Sequence, residues 1–137
     1  MIDFDNKKVF KLKQNDKYAE KVAGLLVEGE KVIGSYKSLK DGVVFTNFRI
    51  IAVNREGMMN ANADFTSIPY AKITLYSIHT ASTFEKIKMI GADAELDVYI
   101  VGLGRLRFEF KSSVDIYEIS QHISNNIIQK GSIDGSV

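Results

Sequence analysis

Few residues of this chain are equipped for chemistry. Its only imidazoles are His79 and His122, and it has no Cys. A histidine-based metal site needs several converging ligands, and neither H-E-x-x-H nor a comparable spacing occurs. Without thiols, disulfide scaffolds and Cys-based zinc sites are excluded as well. G-x-S-x-G is absent, and no Ser-His-acid order suggests a nucleophilic triad. Carboxylates gather at Asp93, Glu95 and Asp97. Glu95 and Asp97 share one strand face, the arrangement a carboxylate pair would need. Arg105 and Arg107 follow closely, so a solvated, charge-paired face is the favoured reading. Gly102-x-Gly104 is part of a dinucleotide fingerprint, but it joins strand to strand and lacks the helix that would hold a phosphate. No catalytic residue, metal set or cofactor is therefore expected. His79 is expected on a strand surface. His122 falls off the apolar stripe of its helix and is expected in solvent.

The elements that position these residues follow from the pattern of the chain. Asn15 and Asp16 stand where a helix cap is wanted. Tyr18, Val22, Leu25 and Leu26 then fall on one helical face, which predicts a helix over about 15–27. Gly29 is its stop. Lys31 to Tyr36 is β-prone, and Lys40-Asp41-Gly42 reads as a hairpin turn because Asp-Gly tolerates positive φ. Val43–Thr46 and Phe48–Val53 follow, with a further turn near Glu56-Gly57. Thr66–Ile68 is a short strand ended by Pro69. Ile73–Thr80 carries apolar residues on both faces and is expected to be a central strand.

The clearest hairpin comes last. Leu96, Val98 and Ile100 alternate with Glu95, Asp97 and Tyr99. Gly102-Leu103-Gly104 turns the chain, and Leu106, Phe108 and Phe110 alternate with Arg105, Arg107, Glu109 and Lys111. Ser112 and Ser113, with Asp115, form a capping signature for a second helix. Its stripe is Ile116, Ile119, Ile123 and Ile127, and Gly131 ends it. The order is helix, about seven short strands, helix. That order suggests an antiparallel PH-like barrel closed by its last helix, or another α+β roll.

Composition agrees with one folded unit. The chain has 137 residues, of which 45% are hydrophobic and 26% charged. This argues against disorder. Lys plus Arg total 18 and Asp plus Glu 17, a net charge of +1. No overall field attracts DNA or RNA, and nucleic acid is not an expected partner. No apolar run reaches the roughly 20 residues that span a bilayer, and the first residues lack the apolar core of a signal peptide. A cytoplasmic location is the expectation. The division read from the pattern is an N-terminal extension over 1–14, one domain over 15–130 and a flexible tail over 131–137. Lys7, Lys8, Lys11, Lys13, Lys17 and Lys21 make the start of the chain mildly basic, although Asp3, Asp5, Asp16 and Glu20 offset them. The end leans acidic through Asp115, Glu118 and Asp134.

Several segments resemble the bacterial PH domain family. Leu26-Val27-Glu28-Gly29-Glu30 looks like its entrance to the first strand. Asp41 with Phe45-Thr46-Asn47-Phe48-Arg49 resembles its R-D-x(3)-F-T-N-x-R segment. Ser67-Ile68-Pro69-Tyr70 with Ile73 resembles S-I-P-Y-x-x-I, and Ser77 to Ser82 resembles S-V-E-T-A-G. Glu95-Leu96 and Tyr99 to Gly102 look like its E-L and W-I-x-G strand. The similarity covers about residues 20 to 125. There are departures: Lys40 stands for Arg, His79 for Glu, Ser82 for Gly, Asn54 for Asp, and Met58-Met59-Asn60 for a Gly-Lys-Lys-like stretch.

The resemblance implies a seven-stranded PH barrel capped by a C-terminal helix, with an additional N-terminal helix here. It also implies self-association into a cyclic homo-oligomer. Such a ring needs a heterologous contact, in which one surface meets a different one. Met58, Met59, Tyr70 and Tyr76 are the candidate interface residues. The Met pair serves either as an adaptable contact or as gap-filling at a barrel rim. An unidentified protein partner is a related expectation. Eukaryotic PH domains bind phosphoinositides through cations on their first two strands, which suggests a second reading. An anionic ligand or phospholipid headgroup would be held by Lys37, Lys40, Arg49 and Arg55. Asn47 and Asp41 interrupt that pattern, so membrane lipid ranks below protein association. Arg49 also has a structural reading, as the residue that ties the F-T-N-x-R turn together.

Overall fold

The computed structural model describes residues 9–56, 62–80, 94–111 and 116–129. Met58, Met59, Ser82, the expected cap at Ser112, Ser113 and Asp115, the turn at Gly57, and Gly131 with the tail lie outside the described residues. The elements in chain order are β1 (Val9–Gln14), α1 (Lys17–Val22), β2 (Val32–Lys37), β3 (Gly42–Thr46), β4 (Arg49–Glu56), β5 (Asn62–Pro69), β6 (Ile73–Thr80), β7 (Ala94–Ile100), β8 (Gly104–Phe110) and α2 (Ile116–Ser124). Short 3₁₀ turns follow α1 at Ala23–Leu25 and β5 at Tyr70–Lys72, and a π turn extends α2 over Asn125–Gln129.

The strands form one curled sheet, a half-barrel, in the order β5-β4-β3-β2-β1-β8-β7-β6. Its pairs are antiparallel except β1 with β8, which is parallel. The described residues thus hold eight strands where the sequence pattern suggests about seven. The added one is β1, within the stretch read as an extension. It joins the two halves of the sheet: Lys13 and Gln14 pair with Lys37 and Tyr36 of β2, while Lys11 and Leu12 pair with Glu109 and Phe110 of β8.

β3 and β4 are apolar on both faces because both faces are covered. Val43, Phe45, Ile50 and Ala52 join the main core with Leu96, Leu106, Phe108 and the α2 stripe of Ile116, Ile119 and Ile123. Val44, Ile51 and Val53 face outward, where Tyr18 and Val22 of α1 cover them. Helix α1 is shorter than the pattern suggests, and its last residues tighten into the 3₁₀ turn that contains Gly24. In this fold α1 lies on the outside of the sheet and α2 on the inside.

Two local expectations are corrected. The turn between β2 and β3 does not use a positive φ at Gly42; among the described glycines only Gly29, Gly102 and Gly104 have one. Instead the Ser38 N–H donates to the Asp41 carbonyl at 2.8 Å, and the Asp41 N–H donates to Ser38 Oγ at 3.0 Å. Gly42 is required for space: a Cβ there would lie 2.2 Å from Cδ2 of Tyr18. Strand β6 is not central but ends the strand order, paired with β7 alone among the described residues. A register shift between Ile73 and Leu75 reverses its alternation. Ile73 is buried before the shift, and Tyr76 and Ile78 pack on the core after it, while Leu75 faces solvent. Apolar residues on both faces therefore come from a bulge, not from burial of both faces.

Candidate functional site

The ends of β1, β2 and β8 meet beside the β2–β3 turn. In β1, Leu12 is fully buried, which places its neighbours Lys11 and Lys13 on the opposite, solvent side. The parallel pairing with β8 carries the chain to Lys111, whose N–H donates to the Leu12 carbonyl at 3.0 Å. The antiparallel pairing with β2 sets Lys13 directly opposite Lys37. The turn adds Lys40. The result is a groove of about 640 Å³ lined by Lys11, Lys13, Lys37, Lys40 and Lys111, with Asp41 the one acidic residue among the described residues that line it. Among the described residues none of these five lysines forms an ion pair. A near-neutral chain thus concentrates positive charge in one concave place. Lysine ammonium groups on flexible stems hold phosphate as point charges, without the fixed fork of arginine.

Of the expected anion ligands, Lys37 and Lys40 are in this groove and Arg49 and Arg55 are not. Arg49 grips Glu30 at the other end of the strands: Nε donates to Oε2 at 2.8 Å and Nη2 to Oε1 at 2.9 Å. It also donates to Ser67 Oγ and to the Leu25 carbonyl. Arg55 stands on β4, where its backbone N–H donates to Asp41 Oδ1. Lys11, Lys13 and Lys111 are not singled out by the sequence pattern. Their convergence depends on β1 pairing with two strands at once.

The F-T-N-x-R and S-I-P-Y segments form one structural node. The Glu30 carboxylate is wholly buried and accepts from Arg49, from Thr46 Oγ1 at 2.7 Å and from the Val27 N–H at 3.0 Å. The bond to Arg49, aided by those to Thr46 and Val27, outweighs burial and lowers its pKa from 4.5 to about 2. Asn47 locks the next turn, accepting from the Lys31 N–H and donating to the Gly29 carbonyl. Tyr70, from S-I-P-Y, donates its hydroxyl to the Thr46 carbonyl at 2.7 Å. Burial, followed by the nearby Glu30 charge, raises its pKa.

Three further expectations change. Tyr70 was expected on an exposed contact surface but is 3% exposed. Tyr76 is half-buried, with its hydroxyl against Ser120 and Ser124 of α2. Neither tyrosine presents a free apolar face, because each ties a strand to another element. His122 was expected in solvent but is half-buried, edge-on to the Tyr70 ring, with Nε2 2.6 Å from the Thr46 carbonyl. A carbonyl only accepts, so Nε2 carries the proton and the helix is anchored through it.

His79 is exposed on β6 opposite Glu95 of β7, as a surface strand residue. Asp97 and Glu95 are engaged by Arg107, with Asp97 held bidentately at 2.8 and 2.9 Å. That pairing, led by the Arg107 hydrogen bonds, lowers the Asp97 pKa. This is the charge-paired face the alternation indicates. Among the described residues no three His, Asp or Glu side chains gather as a metal set. No helix among them is long and apolar enough to cross a membrane.

Comparison with known proteins agrees with this architecture. The family model described as bacterial PH domain matches residues 3–127. The uncharacterized protein YjqA of Bacillus subtilis (strain 168) is 36% identical over 104 residues, 74% of this chain and 78% of that protein. The crystal structure of a DUF1696 family protein with a pleckstrin-homology domain from Shewanella loihica PV-4 superimposes with a TM-score of 0.69 at 28% identity, covering 85% of this chain and 97% of the other. A pleckstrin homology domain from Shewanella amazonensis SB2B gives 0.58 at 31% identity, covering 80% and 95%. The family match begins within the residues before β1, so the first strand belongs to the matched region. With its curled PH-like sheet and a helix toward each end, the chain belongs to the bacterial PH domain family.

Proposed function

We propose that this is a non-enzymatic binding domain whose groove holds a phosphate-rich anion. One observation supports the reading most: among the described residues five lysines and a single carboxylate line one groove, and two of the five lysines are direct cross-strand partners. Like charges placed opposite one another destabilise a strand pair. A strand end that needed only solubility would alternate the signs. The test is a titration with inorganic pyrophosphate and with inositol hexakisphosphate, followed by amide chemical shifts. Saturable shifts at Lys13, Lys37 and Lys111 that weaken with salt are expected. No shift at low salt would overturn the reading.

A second reading is self-association into a cyclic homo-oligomer. It is supported by the two ends of the sheet. Among the described residues β5 pairs only with β4 and β6 only with β7, so each leaves one edge without a strand neighbour. Such edges invite pairing with another chain. An edge of β5 against an edge of β6 is a heterologous contact, the kind that closes rings. Light scattering over a concentration series tests this. A single multimeric mass is expected, and a monomer at every concentration would remove the reading.

A further inference from the structure

Arginine and lysine have different tasks in this chain. Arg49 holds Glu30, and Arg105 and Arg107 hold Asp97 and Glu95. Among the described residues the groove is lined by five lysines and no arginine. A carboxylate matches the planar fork of arginine, whereas the oxygens of a phosphate monoester spread in several directions and suit separate ammonium groups. Five ammonium groups beside one carboxylate leave four positive charges to be met among those residues. Two phosphorylated serines bring about three to four negative charges between them. The groove also carries groups that a free phosphate does not use. Leu39 lines it and is fully exposed, within a turn fixed by the Ser38–Asp41 hydrogen bonds and by the Tyr18 hydroxyl, which donates to the Lys40 carbonyl at 3.2 Å. Gln14 lines it as well and is exposed, with an amide that both donates and accepts. A polypeptide has a counterpart for each: phosphate esters for the lysines, backbone N–H and C=O groups for the amide, and an apolar side chain for Leu39.

We propose that the groove docks a phosphorylated segment of a partner protein, in which two phosphorylated side chains flank an apolar one. The phosphates meet Lys11, Lys13, Lys37, Lys40 and Lys111, and the apolar side chain meets Leu39. This rests on the anion-binding reading and adds the class of partner that carries the anion. The fixed turn presents Leu39 already in place, so docking orders little of the domain. Shape favours a chain over a flat surface, because an extended segment enters a concavity whose rim a plane meets first. The charges select and orient the segment, and the leucine contact distinguishes one phosphorylated segment from another.

The test uses synthetic peptides in which two phosphoserines flank a leucine at several spacings. Beside them stand the unphosphorylated forms, forms with glutamate for each phosphoserine, and forms with serine for the leucine. Fluorescence anisotropy of labelled peptides reads the affinity. At least one phosphorylated spacing is expected to bind, more weakly as salt rises, and its unphosphorylated form is expected not to bind. Lys13→Gln is expected to weaken both this peptide and pyrophosphate about tenfold. Leu39→Ser is expected to weaken the peptide about tenfold and leave pyrophosphate unchanged. The peptide with serine for leucine is expected to show the same loss on the wild-type chain and no further loss on Leu39→Ser, which ties the two leucines to one contact. An amide spectrum checks that each variant is folded. If pyrophosphate binds and no phosphorylated peptide does, the peptide proposal falls and the anion reading stands. If neither binds, both fall. Equal binding of the glutamate forms, or peptide binding that ignores Leu39→Ser, overturns the assigned chemistry. Vesicles of phosphatidylglycerol that outcompete the peptide at equal phosphate would assign the anion to lipid instead.

Discussion

Lys13 and Lys37 oppose one another directly across the β1–β2 pair, and both line the groove. Cross-strand partners of like charge work against the strand pairing that brings them together. Replacing Lys37 by Glu turns the repulsion into attraction. Lys37→Glu is expected to raise stability by about 0.5 kcal/mol, read from a urea midpoint at constant slope. The same change is expected to lower pyrophosphate affinity at least about tenfold, since a cation is removed and an anion added. A variant that gains stability and keeps its affinity would show that the pair has no part in binding.

Glu30 makes the fold sensitive to acid. Its pKa falls from 4.5 to about 2 on folding, chiefly through the Arg49 hydrogen bond. The folded state therefore binds this proton less readily than the unfolded state. Its contribution is complete above pH 4.5 and is lost as pH falls from 4.5 toward 2. The shift corresponds to about 3 kcal/mol. Glu30→Gln is expected to cost about 3 kcal/mol near neutral pH, because it leaves Arg49 without its carboxylate. It also flattens the acid limb of the stability profile. Urea midpoints for both proteins across that pH range measure the difference.

The fold is legible in the sequence where one face of an element meets one environment. Strand β8 alternates cleanly because its inner residues meet the core, and in β7 only Asp97 breaks the alternation, buried in its pairing with Arg107. The α2 stripe is legible for the same reason. The fold is not legible where two elements act on one residue. Gly42 looks like a turn glycine, and only the Tyr18 ring above it shows why no side chain fits. Strand β1 is short and rich in Lys, so its segment resembles a solvated tail until two partners flank it. His122 lies off its own helix stripe because it answers to Thr46 and Tyr70, far away in the chain. Three of the five groove lysines were missed with β1, since no local spacing unites residues 11, 37 and 111.

The contact between Gly42 and Tyr18 has a sign that depends on the partner. A Cβ at position 42 would lie 2.2 Å from the ring, well inside contact distance. Gly42→Ala is expected to destabilise the chain by about 1–3 kcal/mol through overpacking. In a Tyr18→Leu background the clash is relieved. There Gly42→Ala is expected to be neutral or to stabilise by up to about 1 kcal/mol, by restricting the unfolded chain. A four-member denaturation cycle reads this coupling. Purely additive effects would rule out the ring as the cause.

The Thr46 carbonyl receives two donors, the Tyr70 hydroxyl at 2.7 Å and His122 Nε2 at 2.6 Å. Removing either one leaves the carbonyl a partner. Tyr70→Phe alone is expected to cost about 1 kcal/mol, the net worth of one ordinary hydrogen bond. His122→Ala is expected to cost somewhat more, since the edge-on ring contact with Tyr70 goes as well. Removing both leaves a fully buried residue with an unsatisfied acceptor, so the pair is expected to exceed the sum of the singles by about 1–2 kcal/mol. Near-neutral pH suits the measurement, because Tyr70 is then a phenol and the single changes do not alter its charge. A double variant whose loss equals the sum of the singles would mean that this carbonyl is not what holds α2 to the β3–β4 turn.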